Sequence, residues 1–236
     1  MKIFAKIRFF IKAFTIYLVA GGVMVPLMLI FKDRSYILHR YNAIIMKLIG
    51  GRIERHGERD GSADLFVLNH QGVIDIIALE ADENSNIRWI AKKELFELPW
   101  LGNLLKLPEM ISVDRENKAG LVKLLKDAKA LKESEPPHKI MAIFPEGTRN
   151  PKQRLRKFKS GTKLLAEKLN LKIQPIVITN SKKLLNEHEL TAESTTVHIT
   201  YLDSFTPDRR DREWFKRLQE QMQEVIDREA SLGRYR

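Results

Sequence analysis

The chain has 236 residues, of which 44% are hydrophobic and 30% are charged. This length and composition exclude a disordered or collagen-like chain and predict one domain of ordinary size with its own core. The absence of cysteine excludes disulfides, thiolate nucleophiles and cysteine-bound zinc. With 41 Lys and Arg against 30 Asp and Glu, the formal net charge is +11, which favours an anionic partner: nucleic acid, a phospholipid surface or a phosphate-bearing substrate.

The N-terminus carries a long apolar run. Residues 13–31 are 19 positions without a charge, close to the ~20 residues that a helix needs to cross a bilayer. Gly21-Gly22 and Pro26 lie within the run, so we predict that residues 1–50 form two helices divided near the two glycines. Three interpretations stay open: a two-helix hairpin that dips into one leaflet, a true membrane span, and a buried helix of a soluble domain. In the first two the protein is bound to a membrane.

From residue 51 onward, short apolar runs alternate with segments of helical periodicity. Strands are predicted at 65–68, 88–91, 111–113, 140–144, 171–179 and 197–201, and helices at 74–80, 118–133, 160–169 and 209–232. This alternation predicts an α/β domain over residues 51–236, built on a mixed, largely parallel sheet flanked by helices. The N-terminal two-helix membrane-associated motif, residues 1–50, precedes it.

Two polar clusters each follow directly on an apolar strand. The first is Asn-His-Gln-Gly-Val-Ile-Asp at 69–75, and the second is Phe-Pro-Glu-Gly-Thr-Arg-Asn at 144–150. Ligands of open α/β sheets gather beyond the carboxyl ends of the strands. We therefore expect both clusters to border a ligand site.

His70 and Asp75 in the first cluster are candidates for acid–base chemistry. If Asp75 lies in the first turn of a helix that begins near Val73, its carboxylate can reach the imidazole of His70. It would then fix the tautomer and leave the other ring nitrogen free to accept a proton from an alcohol. The spacing alone is also compatible with a histidine at a helix start and an aspartate that opposes the helix dipole.

The second cluster has the residue types of an anion site. Gly147 lets the backbone approach a ligand closely, the hydroxyl of Thr148 can donate, and Arg149 can bind phosphate through a bidentate fork. A surface turn with a solvated arginine is the other interpretation.

Together the two clusters resemble the glycerophosphate acyltransferase superfamily, and within it the bacterial 1-acylglycerol-3-phosphate acyltransferases. The resemblance rests on Asn-His-x-x-x-x-Asp from Asn69 and Phe-Pro-Glu-Gly-Thr-Arg from Phe144, 75 positions later. Residues 91–115 are similar to the second motif of that family, and 173–178 to its apolar, proline-bearing fourth. Ser112 and Gln174 depart from the family pattern, which leaves the acyl-chain or donor preference open.

The resemblance implies that His70 is the general base, that Asp75 orients it, and that no covalent enzyme intermediate forms. The sn-2 hydroxyl of a lysophosphatidic acid would attack the thioester of acyl-CoA or acyl-carrier protein to give phosphatidic acid. The acceptor phosphate would bind Arg149, Arg115 and Lys92, and the pocket would be shaped by Asn69, Glu146, Gly147 and Thr148. Arg115 paired with a neighbouring acid and Lys92 as a solvated lysine are the alternative interpretations.

The same resemblance implies the bacterial inner membrane, an active site on its cytoplasmic side and no resident cofactor. Within the superfamily, the alternative acceptor is another lysolipid or an ornithine lipid. Outside it, the alternatives are a nucleic-acid-binding protein and a membrane scaffold with a degenerate site. The basic stretches lack interleaved aromatics, which counts against nucleic acid. The intact pair of His70 and Asp75 counts against a scaffold.

Three further features of the sequence bear on the function. Trp100 is interpreted as a core residue, with an interfacial anchor as the alternative. The basic residues within 152–159 either form a solvated loop or attract anionic lipid or coenzyme A phosphates. The remaining histidines show no metal-ligand spacing, so we expect no metal; they are His39, His56, His138, His188 and His198.

Overall fold

A computed structural model of the chain describes residues 2–83, 85–114, 117–134 and 139–234. Within these residues, seven strands form one sheet in the order β1-β7-β6-β2-β5-β3-β4. They are β1 (Gly51–His56), β2 (Leu65–Leu68), β3 (Asn86–Lys92), β4 (Ile111–Val113), β5 (Lys139–Ile143), β6 (Ile173–Thr179) and β7 (Thr195–Tyr201). The strands from β6 to β4 run parallel, β7 is antiparallel to β6, and β1 is parallel to β7. The predicted mixed, largely parallel sheet is confirmed.

The helices follow the alternation that the sequence predicts. They are α1 (Lys2–Tyr17), α2 (Val25–Ile30), α3 (Arg34–Leu48), α4 (Val73–Asp82), α5 (Lys93–Phe96), α6 (Asn103–Lys106), α7 (Lys118–Lys132), α8 (Ser160–Leu169), α9 (Ser181–Leu184) and α10 (Trp214–Ser231). A π-helical segment, Leu18–Met24, joins α1 to α2.

The sheet separates two hydrophobic cores. Along β2, Phe66 and Leu68 face a core shared with the N-terminal helices and α4, whereas Leu65 and Val67 face a core shared with α7, α8 and α10. Successive side chains of a strand point to opposite faces, so a strand covered on both sides has to be apolar throughout. This explains the unbroken apolar run of β2 and leaves its carboxyl end as the place where polar side chains begin.

Several elements differ from the sequence prediction: the short helices α5, α6 and α9 were not predicted, and β6 begins at Ile173 rather than at residue 171. β1 was not predicted because it is an edge strand with one apolar side chain, Ile53, among charged and polar residues. α10 begins at Trp214 rather than at Arg209. Asp208 and Asp211 accept hydrogen bonds from backbone N–H groups two residues further on, and these turns compete with the helix.

The predicted helix break at Gly21-Gly22 is wrong. The helix continues through the π-helical segment Leu18–Met24 and ends only at Ile30. The N–H of Val25 donates to the carbonyl of Ala20, five residues back, as the wider π-helical turn requires. This wider turn absorbs the two glycines without interrupting the helix.

The N-terminal helix has one face on the protein and one apolar face exposed. Val19, Met24 and Met28 are buried, and the ammonium group of Lys12 donates to the carbonyl of Glu193 at 2.7 Å. The segment Ile3–Ile30 is long and apolar enough to cross a membrane, by length and composition only. Large apolar side chains are exposed along α1: Ile3, Phe4, Ile7, Phe10, Ile11 and Phe14.

Candidate active site

His70 and Asp75 meet at the carboxyl end of β2, as the sequence predicts. His70 lies in the loop between β2 and α4, and Asp75 lies in the first turn of α4. The Nδ1 atom of His70 is 3.1 Å from Oδ2 of Asp75. The same oxygen accepts the backbone N–H groups of Gln71 at 2.5 Å and Gly72 at 2.9 Å. Because Asp75 is fully buried and held by the backbone, its carboxylate has one position relative to the imidazole.

This contact determines what the imidazole can do. A carboxylate accepts a hydrogen bond but cannot donate one, so it favours the tautomer of His70 with the proton on Nδ1. The Nε2 atom is then the free proton acceptor. The catalytic roles of the two residues stay a prediction, but the contact that those roles require is present.

Aromatic rings fix the plane of the imidazole. The ring of His70 stacks on that of Phe144, with centroids 3.8 Å apart and an interplanar angle of 14°. Phe144 in turn stacks on Trp89 at 5.2 Å, and the indole N–H of Trp89 donates to the carboxylate of Glu80 at 2.7 Å. Phe144 belongs to the second cluster, so the contact brings the two clusters into one site.

Glu146 joins the loops that carry the two clusters. Its Oε1 accepts the N–H of His70 at 3.1 Å, and its Oε2 accepts the side-chain amide of Asn150 and the N–H of Arg156, each at 2.8 Å. The N–H of Asn150 donates to the carbonyl of His70 at 2.8 Å. Burial raises the pKa of Glu146, although these hydrogen bonds and His70 oppose the shift. These contacts support the loop of His70, and the role of Glu146 in shaping the pocket stays a prediction.

Asn69 connects β2 to β6 where the strands end. Its side-chain amide donates to the carbonyl of Ile178 at 2.8 Å, and its carbonyl oxygen accepts the N–H of Ile178 at 2.8 Å. The side chain therefore takes the place of a backbone partner. Asn69 fixes the position of the residue before His70.

The turn after Glu146 depends on glycine. Gly147 has a φ of 74°, in the left-handed region that favours this residue, and its N–H donates to the carbonyl of Phe144 at 3.0 Å. Thr148 and Arg149 follow on the exposed side of the turn. The backbone reversal thus aims the following side chains at solvent beside the His70 loop.

Glu187, a residue that the sequence did not indicate, links Arg149 to the start of α4. The guanidinium of Arg149 pairs with one carboxylate oxygen of Glu187, and the other oxygen accepts the N–H of Val73 at 2.8 Å. Val73 is the first residue of α4. Glu187 lies between β6 and β7, far from both clusters in sequence, and no local pattern identifies it.

Lys182 is a second residue that the sequence did not indicate. It lies in α9 and donates to the carbonyl of Pro151. Burial lowers the pKa of its ammonium group, while the carboxylates of Asp75, Glu189 and Glu146 act in the opposite direction. Its contact with Pro151, which directly follows Asn150, places Lys182 beside the loop of the second cluster.

The two other predicted phosphate ligands are Lys92 and Arg115, and no described contact links either of them to His70. Lys92 ends β3 and pairs with Glu94 at 3.1 Å, with nearly half of its side chain exposed. Arg115 lies outside the described residues. Of the three predicted ligands, Arg149 is the one whose described contacts reach the site.

The chain is similar to known acyltransferases. Residues 52–179 match the family model described as Acyltransferase. A 1-acyl-sn-glycerol-3-phosphate acyltransferase of Helicobacter pylori is 47% identical over 177 residues, which cover 75% of this chain and 73% of that protein. Another, of Limnanthes alba, is 28% identical over 179 residues, 73% of this chain and 63% of that protein.

The fold has a counterpart among solved structures. The crystal structure of the 1-acyl-sn-glycerophosphate (LPA) acyltransferase PlsC from Thermotoga maritima superposes with a TM-score of 0.72 and covers 96% of each chain. At 18% identity, this likeness concerns the fold alone. The match of the family model over more than half of the chain, with the relative at 47% identity, determines the family. The chain belongs to the acyltransferase family.

Proposed function

We propose that the protein transfers an acyl group from a thioester to the sn-2 hydroxyl of 1-acyl-sn-glycerol-3-phosphate and so makes phosphatidic acid. The name of the Helicobacter pylori relative supports this acceptor, because that protein is 47% identical over three quarters of the chain. The observation that carries the chemistry is the contact of 3.1 Å between His70 and the buried Asp75. It leaves Nε2 of the imidazole free to act as the base.

The reaction proceeds in two proton transfers at His70. Nε2 accepts the proton of the lysolipid hydroxyl as its oxygen attacks the thioester carbonyl, and Asp75 stabilises the imidazolium that forms. The tetrahedral intermediate collapses, the C–S bond breaks, and Nε2 returns the proton to the departing thiolate. The products are an ester and a free thiol. The steps need neither a covalent enzyme intermediate nor a resident cofactor.

Arg149 is the proposed ligand of the acceptor phosphate. It is the predicted phosphate ligand whose contacts reach the start of α4, and its side chain is half exposed. A phosphate monoester that binds here exchanges the carboxylate of Glu187 for phosphate oxygens on the same guanidinium. Lys182, which contacts the carbonyl of Pro151 two residues after Arg149, supports binding with a second positive charge. Arg115 and Lys92 stay predictions as further ligands.

The exposed face of α1 supports binding in the membrane surface. Arg8 and Lys12 donate to the carbonyls of Ala192 and Glu193, which holds the helix along the domain. A helix held in this way, with one protein face and one apolar face, favours insertion into one leaflet over a span across both. We propose that the protein lies at the inner membrane of a bacterium, with the site on its cytoplasmic side. Acyl thioesters are made on that side, and the net charge of +11 favours binding to anionic lipid.

The proposed reaction is tested by the release of free thiol from palmitoyl-CoA with lysophosphatidic acid as the acceptor. We expect acceptor-dependent release by the wild type and its loss in His70→Ala. The control is Arg210→Ala, since Arg210 is exposed on the turn before α10. Parallel assays use palmitoyl-loaded acyl-carrier protein as the donor. Others use a lysolipid with a larger head group or a lyso-ornithine lipid as the acceptor.

The parallel assays distinguish between the alternative acyl donors and between the alternative lipid acceptors. Faster turnover with acyl-carrier protein identifies that donor, and faster turnover with another acceptor favours the other acceptor class. Equal thiol release by His70→Ala and the wild type would contradict the proposed mechanism.

A further inference from the structure

Two histidines from distant parts of the sequence meet at the edge of the sheet. β1 and β7 pair in parallel with Glu54 opposite His198 and His56 opposite Thr200. Because Glu54 and His56 are two residues apart on one strand, their side chains share a face with that of His198. The Nε2 atom of His56 is 3.2 Å from Nδ1 of His198.

The carboxylate of Glu54 faces both rings, with one oxygen close to each, and the ligand atoms of the three residues lie within 4.8 Å of one another. Its Oε1 is 3.5 Å from Nε2 of His56, and its Oε2 is 3.6 Å from Nδ1 of His198. Nitrogen and oxygen ligands bound to a tetrahedral zinc ion at 2.0–2.2 Å are separated from one another by about 3.3–3.5 Å. The ring nitrogens are 3.2 Å apart, and each lies 3.5 or 3.6 Å from one carboxylate oxygen of Glu54, so small adjustments of the side chains bring one oxygen and both nitrogens onto one ion.

We propose that Glu54, His56 and His198 bind one divalent transition-metal ion of the zinc type. Two imidazoles and one carboxylate suit zinc and its neighbours, whereas magnesium and calcium prefer oxygen ligands alone. Without an ion, the facing ring nitrogens share one proton in a hydrogen bond. With an ion, both nitrogens use their lone pairs on it, and a water or the second carboxylate oxygen fills the fourth position.

The cluster is open on one side and enclosed on the other. The side chain of His198 is 7% exposed, that of His56 is 29% exposed and that of Glu54 is 47% exposed, so an ion can enter from solvent. The buried carboxylate of Glu229, near the C-terminus, is paired with Arg234 at 3.8 Å. Glu54 is thus the acid in direct reach of both rings.

The proposed ion lies away from the acyl-transfer site. Ile53 packs into the core that includes α4, and its neighbours on β1 therefore point to the other face of the sheet. An ion there would clamp the edge strand β1, which directly follows the N-terminal helices, onto β7. Its expected effect is on stability. We expected no metal because the histidines have no metal-ligand spacing along the chain. Spacing cannot reveal a pair such as His56 and His198, which are 142 positions apart. His138 lies outside the described residues.

The test is zinc binding by the full chain, purified in detergent and freed of metal with a chelator. Zinc chloride is titrated against a chromophoric chelator, the bound metal is counted by elemental analysis, and thermal unfolding is followed with and without the ion. We expect one equivalent in the wild type, and a rise in Tm of about 5 °C or more at a hundredfold excess of zinc over its Kd.

Variants of the exposed ligands distinguish a built site from adventitious binding. Glu54→Gln and His56→Ala should each weaken zinc binding at least tenfold and abolish the rise in Tm, whereas the control His188→Ala should bind as the wild type does. The buried His198 is left unchanged, so that a folding defect does not obscure the result. Binding of less than one equivalent, or equal affinity in the wild type and both ligand variants, would overturn the proposal.

Discussion

The indole Nε1 of Trp100 donates a hydrogen bond of 2.7 Å to the carbonyl oxygen of Gly21. In the π-helical segment each carbonyl pairs with an N–H five residues further on, and the residue five positions after Gly21 is Pro26, which has no N–H. Trp100 thus supplies the donor that the proline lacks. Trp100 was interpreted as a core residue; its side chain is instead half exposed and lies against the N-terminal helix.

Trp100→Phe should destabilise the protein by about 1 kcal/mol, because it leaves the Gly21 carbonyl without this donor. Pro26→Ala restores a backbone N–H at the position that can pair with it. In a double-mutant cycle followed by thermal unfolding, the loss caused by Trp100→Phe should therefore be smaller in the Pro26→Ala background. An equal loss in both backgrounds would show that the tryptophan acts through packing alone.

Asp75→Asn should lower kcat by about 10²–10⁴ with little change in KM. The amide is nearly isosteric with the carboxylate, but it neither selects the Nδ1–H tautomer of His70 nor stabilises the imidazolium. Steady-state thiol release measures the effect, and the thermal unfolding midpoint serves as the control for folding. A variant that folds and keeps more than a tenth of the wild-type kcat would argue against the orienting role of Asp75.

Arg149→Lys should raise the KM for lysophosphatidic acid about tenfold, or about 1.4 kcal/mol, with a smaller effect on kcat. Lysine keeps the charge but loses the planar fork that grips two phosphate oxygens. Arg210→Lys, on the exposed turn before α10, is the matched control. If the KM for an acceptor without a phosphate monoester rises by the same factor, Arg149 is not the phosphate ligand.

Glu146 should make stability depend on pH. Burial raises the pKa of its carboxyl above the ordinary value of 4.5, so the folded state holds this proton to a higher pH than the unfolded state. The stabilising contribution is complete below pH 4.5 and is lost as the pH rises through the folded-state pKa. Glu146→Gln cannot titrate.

The unfolding free energy of the wild type should therefore fall relative to that of Glu146→Gln as the pH rises from 4.5 towards neutrality. Denaturant unfolding of both proteins at a series of pH values measures this difference. A difference that stays constant across the interval would mean that the carboxyl does not titrate there.

Phe10→Asp and Phe14→Asp should each reduce binding to anionic phospholipid vesicles at least tenfold. Both side chains lie on the exposed face of α1, and a carboxylate there is costly to insert into lipid. Val122→Asp, on the exposed surface of α7, is the control and should bind as the wild type does. Retention on DNA but not on vesicles at the same salt concentration would favour the nucleic-acid interpretation.

The sequence by itself determined the elements and contacts that depend on short stretches of chain. The helix at 160–169 and the strand at 65–68 have the predicted bounds, because apolar periodicity and flanking residues act locally. The contact between His70 and Asp75 was also predictable, since five residues across a strand end and a helix start allow few geometries. The division of the chain at residue 50 stays a prediction.

Only the tertiary structure decided the contacts between distant parts of the chain. Glu187 reaches both Arg149 and α4, and His198 meets His56, because of the order in which the strands pair. Many strand orders are compatible with one pattern of apolar residues, so periodicity cannot reveal which polar side chains become neighbours. The continuous helix across Gly21-Gly22 also depends on tertiary contacts. Glycine weakens a helix locally, but packing of this segment against the domain maintains it.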